Sequence, residues 1–221
     1  MNKKNKKINM YLTGGMLIIC LVSLIMLSVN IVNIITGKIN SDGSTMDLDS
    51  NSSIKNDQYT IGNNPTDFGK EVFEDLTKSL EDGDPLEISK NVVRCFISDY
   101  FTWTNKDGTY EVGGLQYVYG PQYTMFEVES RWTFYSDLDL YITQYGREKL
   151  LEVDSIEIIA ALDGGYFTVE GASLKSYYIE ATWTYKDSSA LDVEEFQQVG
   201  FFTVVDHGGR YEIASFYDSY D

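Results

Sequence analysis

The hydrophobic pattern begins with an uncharged stretch over residues 11–37, which contains no Asp, Glu, Lys, Arg or His. As a helix it would be about 40 Å long, whereas the hydrocarbon core of a bilayer is about 30 Å thick. Thirteen of residues 16–36 are Leu, Ile or Val, which favour insertion into lipid. The pattern therefore predicts a transmembrane helix over residues 11–37. The alternative is a cleaved signal peptide, whose apolar region is shorter at about 7 to 15 residues.

The charges that flank this stretch predict its orientation. Four of the first seven residues are Lys, whereas a single Lys follows the stretch before the first acidic residues. Positively charged flanks remain on the cytoplasmic side of a membrane. We therefore expect a short basic cytoplasmic tail over residues 1–10, one span in the cell membrane, and an extracytoplasmic chain beyond it.

The pattern after the span predicts a linker and then one domain. Residues 38–63 are rich in Ser, Asn, Asp and Gly and lack a hydrophobic period, so they predict a flexible linker. Residues 64–221 have the length of a single domain. Helical spacing begins after Thr66, ends at Gly83 and resumes at the Asp-Pro pair that follows. We expect two helices there, the second of which is apolar on more than one face and lies centrally.

A third helix is predicted after an irregular segment. Residues 102–120 should form turns around one or two short extended pieces, because Asn, Asp and Gly interrupt the helical period. Pro121 then opens a helix that ends at Gly146, with a break near Ser136. The apolar side of this helix is predicted to carry Phe126, Trp132, Phe134, Leu138, Tyr141, Ile142 and Tyr145.

From Leu151 onward the hydrophobic period changes to two, which is typical of strands. The pattern predicts strands over residues 153–162, 166–170, 174–186, 196–205 and 210–217. Two Gly-rich segments between them, Asp163-Gly164-Gly165 and His207-Gly208-Gly209, predict hairpin turns.

One face of the strand over residues 174–186 should look inward. That face carries Tyr177, Ile179, Ala181, Trp183 and Tyr185. Tyr178 lies on the opposite face, where an aromatic side chain is a candidate interface residue. Helices followed by antiparallel strands predict an α+β domain, in which the N-terminal helices pack on one face of a curved antiparallel sheet.

Charge and cysteine content narrow the classes of function. All 34 acidic residues follow residue 41, together with 12 of the 17 basic ones, so the outer part has a net charge of −22. Such a field repels phosphate backbones, and nucleic-acid binding is not expected. Cys20 lies in the predicted span and Cys95 in a predicted helix, so the two cannot pair and no metal-ligand spacing is present.

No residue is predicted to be catalytic. His207, the only histidine, lies in a Gly-rich turn without a second His or a Cys that could complete a triad or a zinc site. Asp137 and Asp139 lack the further oxygen ligands of a calcium loop and suit the start of a helix. Neither a cofactor nor a metal is therefore predicted. The alternative is a cone-shaped cavity in which a carboxylic acid and Tyr hydroxyls act on a small molecule.

The order of elements and the aromatic strands SYYIEATWTYK and GRYEIASFY resemble the nuclear transport factor 2-like domain over residues 64–221. The resemblance implies a cone, in which helices pack on the concave face of a curved sheet. With its short basic tail and single span, the whole chain is similar to the VirB-eight type assembly factors of type IV secretion and conjugative transfer. Where that family has an Asn-Pro-x-Gly segment before its last strand, this chain has His207-Gly208-Gly209-Arg210.

We therefore expect a single-pass, extracytoplasmic scaffold or protein-interaction module without enzymatic activity. Its partners would be the membrane and either other envelope proteins or a second copy of itself, with Tyr178 at the possible interface. The alternative is a small-ligand sensor or cone-cavity enzyme of the cell envelope. A cavity of about 300 Å³ or more with convergent polar groups would favour the ligand, whereas a filled interior would favour the scaffold.

Overall fold

The computed structural model describes residues 54–218 of the 221-residue chain. These residues belong to a compact unit that begins at Ser50. The predicted cytoplasmic tail and membrane helix lie outside the described residues. Among residues 54–218, no helix is long and apolar enough to cross a membrane.

Two helices open the domain as the sequence predicts: α1, Asp67–Asp82, and α2, Pro85–Tyr100. Thr66 caps α1, because its hydroxyl accepts a hydrogen bond from the backbone N–H of Gly69 at 3.0 Å. Gly83 ends α1 in the left-handed conformation, with φ at 74°. The proline that opens α2 lacks an N–H group at a position where no intrahelical partner exists. Both helix boundaries therefore follow from local sequence.

The second helix, α2, is central in the packing, as expected. Ten of its 16 residues are buried, on more than one face. The ring centroid of Phe96 lies 6.0 Å from that of Phe202 and 5.9 Å from that of Phe216, both in the sheet. It lies 5.9 Å from the ring of Phe126 in the next helix. Aromatic side chains therefore fill the space between α2 and the sheet.

Residues 101–117 follow α2 and pack back against it. One carboxylate of the helix, that of Asp99, binds this segment. The ammonium group of Lys106, which is 2% exposed, lies 2.6 Å from Oδ1 of Asp99. The second oxygen of Asp99 accepts hydrogen bonds from the N–H of Gly114 at 2.8 Å and from the side-chain amide of Gln116 at 3.1 Å. We call these four residues the Asp99 cluster.

The extended pieces expected in residues 102–120 are reduced to one isolated bridge. Val118 pairs in parallel with Ile213 of the last strand. Turns and a 3-10 helix at Leu115–Tyr117 occupy the preceding part of the segment. One of its backbone donors, the N–H of Gly114, is bonded to Asp99 and is therefore not available to a strand ladder.

The predicted third helix is two helices, α3, Tyr123–Trp132, and α4, Leu138–Tyr145, with a break between them as expected. Tyr135 lies in the break, fully buried, and its hydroxyl donates a hydrogen bond to the backbone oxygen of Tyr100 at 2.6 Å. The prediction that Trp132 lies on the apolar, inward side is wrong, because its side chain is 81% exposed. The chain turns at this point, and Tyr135 takes the inward position instead.

Four antiparallel strands form one sheet in chain order. They are β1, Val153–Val169; β2, Ala172–Tyr185; β3, Val199–His207; and β4, Arg210–Tyr217. The first two predicted strands are one long strand, β1. β3 begins later than predicted because a 3-10 turn at Val193–Glu195 precedes it, whereas β4 has the predicted bounds.

The predicted hairpin turn at Asp163-Gly164-Gly165 is wrong. β1 continues through it as a bulge, in which Gly164 is the extra residue between the paired positions Asp163 and Gly165. The turn lies instead at Glu170 and Gly171, whose φ angles are 48° and 78°. Two consecutive left-handed residues are what a type I′ hairpin turn requires, and Glu170 and Gly171 supply them, whereas the predicted turn contains only one, Gly165. The second predicted turn, between β3 and β4, is confirmed.

The two faces of the sheet are covered differently. The predicted inward row of β2 is confirmed, since all five of its side chains are buried. Past the bulge, the tip of the β1–β2 hairpin covers the other face, where Val169 packs with Tyr119, Val205 and Ala214. The helices therefore cover one face of the sheet, and the hairpin tip covers part of the other.

The packed chain begins before residue 64, inside the segment assigned to the linker. Tyr59 is 2% exposed, and its hydroxyl donates a hydrogen bond to the backbone oxygen of Tyr211 at 2.7 Å. The guanidinium of Arg210 lies 4.3 Å from the centre of the Tyr59 ring. Ile61 is also buried in the core. The apolar residues of this largely polar segment are too few and too irregularly spaced to produce a periodic signal, so the sequence pattern does not reveal this contact.

Candidate binding groove

A cleft of about 840 Å³ runs beside β4, and its lining comes from separate parts of the chain. Met125, Glu129 and neighbouring residues of α3 form one wall on the helix side of the sheet. Residues 167–170, at the tip of the β1–β2 hairpin, form the opposite wall. Residues 213–218 lie between the two walls. We call this cleft the α3–β4 groove.

The outer edge of β4 lies in this groove. β4 is the last strand of the sheet, and within residues 54–218 its outer edge is bridged only at Ile213, by Val118. The backbone N–H of Tyr119 donates a hydrogen bond to the oxygen of Ile213 at 2.9 Å. The chain then leaves the edge, because Gln122 N–H closes a tight turn onto the oxygen of Tyr119 at 2.9 Å and Pro121 between them has no N–H to offer.

Aromatic rings form the floor of the groove. Tyr100 of α2 stacks on Phe134 with centroids 5.4 Å apart and lies 5.5 Å from Phe126 of α3. Phe216 of β4 stacks on Phe202 of β3 at 4.9 Å. Since these rings also pack against α2, the floor is part of the hydrophobic core and is held in a fixed shape.

The charged groups of the groove are all acidic. Glu129 of α3 and Glu170 of the hairpin tip line it on opposite sides, and Asp218 lies at the end of β4. No Lys, Arg or His is among its lining residues. The side chains of Glu129 and Glu170 are solvent-exposed. The groove therefore has an apolar floor, a negative rim and a strand edge between its walls.

α3 presents further apolar side chains to solvent beside the groove. Met125, which also lines the groove, is 63% exposed, and Val128 is 49% exposed. With Trp132 they lie at positions i, i+3 and i+7, which form one face of a helix. We call these three residues the α3 apolar face. Clustered exposed apolar side chains of this kind are typical of interaction surfaces.

The chemistry available in the groove suits noncovalent binding. Two of its hydroxyls bond to each other, since Tyr100 donates a hydrogen bond to Oγ of Ser130 at 3.2 Å. Burial raises the pKa of Tyr100 to about 12, so its hydroxyl is neutral near pH 7. His207 lies at the end of β3, where its Nδ1 is 3.1 Å from Oε2 of Glu212, and it does not line the groove. In the part of the chain that the structure describes, no group of three His, Cys, Asp or Glu is placed to hold a metal ion.

The residues singled out from sequence lie elsewhere. Tyr178 is half-buried on the outer face of β2, paired with Leu162 of β1 and Thr203 of β3. Asp139 lies in the first turn of α4, as expected, and accepts a hydrogen bond from the backbone N–H of Thr109 at 3.0 Å. The structure brings none of these residues into the α3–β4 groove.

Sequence reasoning missed the groove because its parts are far apart in the chain. α3, the tip of the β1–β2 hairpin and β4 meet only because the β1 bulge lets the tip cover the outer face of the sheet. The one local signal was the spacing of Met125, Val128 and Trp132 in α3, which is apolar on a side that the sheet does not cover.

No protein-family model, curated protein or solved structure matches the chain. The class of protein therefore rests on the described residues alone. They form an α+β domain, with helices followed by a four-stranded antiparallel sheet, and this order is compatible with a cone fold.

Proposed function

We propose that the protein is a single-pass, membrane-anchored binding module whose domain lies outside the membrane and recruits another protein. Its fold would be the nuclear transport factor 2-like cone, and it would serve as an assembly factor of a conjugative or type IV secretion apparatus. The resemblance in element order and strand sequence supports this assignment, as do the uncharged stretch over residues 11–37 and the lysines before it.

The observation that carries the proposal is the α3 apolar face beside the groove. Buried aromatic side chains fill the space under α2, yet Met125, Val128 and Trp132 remain in solvent. Aromatic and Met side chains are enriched at protein interfaces, where burial in a partner removes them from water. An exposed Trp next to an open groove therefore suits recognition of a protein better than storage of a small molecule.

Photo-crosslinking of the full-length protein in its membrane tests this proposal. A benzophenone amino acid at Val128 should give a discrete crosslinked protein band, and Trp132→Ser in the same chain should remove it. The matched control places the same amino acid at Glu74, on the exposed side of α1. A band of twice the mass would identify self-association, whereas another mass would identify a different protein. Equal labelling at Val128 and Glu74 would contradict the proposal.

Membrane topology is a separate part of the proposal and has its own test. Protease added to intact protoplasts should digest the domain and leave the N-terminal tail intact, because the lysines hold that tail in the cytoplasm. Protection of the domain would overturn the extracytoplasmic assignment without affecting the binding surface.

The volume of the groove favours a second candidate, a small-ligand sensor. Its volume of about 840 Å³ lies within the range of ligand pockets, about 300 to 1,000 Å³, and polar side chains of Gln122, Thr168 and Gln197 are among its lining residues. Native mass spectrometry of the protein released gently from its membrane distinguishes the two. A retained small molecule that Phe126→Trp displaces would favour the sensor.

A further inference from the structure

We propose that the α3–β4 groove binds an extended, positively charged segment of a partner protein, which adds to the outer edge of β4 as a fifth strand. The proposal deepens the proposed protein-binding function and rests on it. It specifies the chemistry of the partner segment, which is a backbone in β conformation with Lys or Arg side chains. It also specifies the atoms of this domain that bind that segment.

The backbone of β4 supplies the first part of the site. Edge strands carry a row of N–H and C=O groups that can pair with another chain. Beyond Ile213, no described segment bridges the outer edge of β4. The strand residues beyond Ile213, residues 214–217, extend for about 13 Å at about 3.3 Å per residue, which is the length of a short strand. Main-chain hydrogen bonds along this length would give affinity without requiring one particular sequence.

The chain itself pairs with the outer edge of β4 at one position and then leaves it. Val118 and Tyr119 lie against Ile213 as a fifth strand would, but the turn closed by Gln122 redirects the chain into α3. Among the described residues, the position of a fifth strand is therefore occupied only beside Ile213 and is open beyond it. An added segment would continue from the place where Tyr119 leaves the edge.

The walls determine the side chains of the added segment. Successive side chains of a strand point to opposite faces of the sheet. On one face they would meet the aromatic floor of Tyr100, Phe126 and Phe134, and on the other they would meet Phe167 and Val169 of the hairpin tip. Both faces offer apolar side chains beside polar ones, so the middle of the segment would alternate Val or Ile with Thr, or carry aromatic residues.

The rim determines the charge of the added segment. Glu129 and Glu170 stand on opposite walls, and no Lys, Arg or His lines the groove to neutralise them. A negative groove attracts cationic chains and repels acidic ones. A second copy of this domain, in an outer part with net charge −22, and the acidic residues 42–49 of the linker are therefore poor occupants.

Peptide binding to the full-length protein in phosphatidylcholine nanodiscs tests the proposal. The probe is fluorescein-labelled Lys-Val-Thr-Val-Thr-Val-Lys, and the readout is fluorescence anisotropy. Methyl groups on its five central amide nitrogens remove the backbone donors, and we expect binding to weaken at least about tenfold. Replacing both Lys by Glu should weaken it by about tenfold or more.

Protein variants separate strand addition from general electrostatic attraction. Glu129→Lys with Glu170→Lys should weaken binding by at least about tenfold. The matched control, Glu71→Lys with Glu74→Lys, makes the same change in net charge on the exposed side of α1 and should leave the affinity within about twofold. Equal binding of the methylated peptide, or equal loss in both double variants, would overturn strand addition.

Two further outcomes are distinguishable. Competition by free spermidine as strong as that by the unlabelled peptide would mean a site for small cations and overturn the strand model. If no peptide binds but Val128 still crosslinks to a protein, strand addition fails while the protein-binding function stands. If crosslinking at Val128 also fails, the proposed function fails as well.

Discussion

Asp99 and Tyr100 are neighbours on α2, yet they belong to regions of opposite character. Asp99 holds the segment over residues 101–117, where a nearly inaccessible ammonium is paired and both carboxylate oxygens accept hydrogen bonds. Tyr100 lies in the floor of the α3–β4 groove, whose walls are held apart around an open strand edge. Around Asp99, folding pairs the buried charges and hydrogen-bonding groups with one another. In the groove, apolar side chains remain in solvent, and in the described part of the chain the outer edge of β4 lacks a hydrogen-bonded neighbouring strand beyond Ile213.

The difference between the Asp99 cluster and the groove indicates which residues stabilise the fold and which are available for binding. Removing one member of a buried, fully paired cluster leaves an uncompensated group, so the Asp99 cluster should be sensitive to substitution. Exposed side chains of α3 make few contacts in the folded domain, so their replacement should affect partners rather than folding. Substitutions in each region therefore test the comparison.

The largest expected effect contrasts two Trp residues. Trp183→Ala should destabilise the domain by about 3 to 5 kcal/mol, because its buried ring packs 4.3 Å from that of Phe101. Trp132→Ala should change stability by no more than about 0.5 kcal/mol. Urea unfolding of a fragment from residue 50 measures both, and that start retains Tyr59 and Ile61. Equal destabilisation by the two substitutions would contradict the comparison.

Substitution in the Asp99 cluster comes next. Asp99→Ala should cost about 3 kcal/mol, because it leaves the buried ammonium of Lys106 without a counter-ion and with only the neutral side-chain oxygen of Asn105, at 2.8 Å, as a partner. Adding Lys106→Met to Asp99→Ala should recover part of that loss, since the orphaned charge is removed. A double variant less stable than Asp99→Ala alone, measured by urea unfolding, would show that Lys106 does not need Asp99.

The same cluster predicts a pH dependence. Burial raises the pKa of Asp99, but Lys106 and the hydrogen bonds from Gly114 and Gln116 lower it more, so its pKa lies below the ordinary value. A carboxyl whose pKa is lowered by folding contributes stability above its unfolded pKa of about 3.9, and this stability is lost as the pH falls through its folded pKa. The stability difference between wild type and Asp99→Asn should therefore shrink below about pH 4. A difference that stays constant from pH 7 to pH 3 would contradict this.

A smaller effect is expected at Arg210, which ties the N-terminal segment to the sheet. Its guanidinium donates to the backbone oxygens of Gln58 and Gln116, the latter at 2.7 Å, and contacts Glu212 at 3.0 Å. Arg210→Lys should cost about 1 to 2 kcal/mol, because an ammonium cannot reproduce the fork of donors. Hydrogen exchange should accelerate at Tyr59 and not in α2. Unchanged exchange at Tyr59 would show that the segment is held by other contacts.

Among the substitutions in the sheet, the smallest effect on stability is expected at Tyr178. Tyr178→Ala should change the stability of the fragment by less than about 1 kcal/mol, since the side chain is only half-buried. If the protein is anchored as proposed and the outer face of β2 mediates self-association, Tyr178→Ala should decrease crosslinking of the full-length protein in membranes, where anchoring would raise the effective concentration. Unchanged crosslinking would leave the α3 apolar face as the better interface.

Local signals predicted those elements whose limits are chemical. Thr66, Gly83 and the Asp-Pro pair define the ends of α1 and the start of α2, because capping and left-handed residues act within one turn of chain. The inward row of β2 was likewise predictable, since alternation has a fixed period. The turn at Asp163-Gly164-Gly165 was not, because a Gly-rich segment suits a bulge as well as a turn.

The sequence by itself determined the α+β class, the central place of α2 and the inward face of β2, because periodicity and caps are properties of neighbouring residues. Only the tertiary structure decided that Tyr59 joins the core, that Lys106 is buried against Asp99, and that α3 and the hairpin tip enclose the edge of β4. Each of these depends on contacts between segments far apart in the chain, whose free energy is fixed by packing geometry and not by the residue types alone.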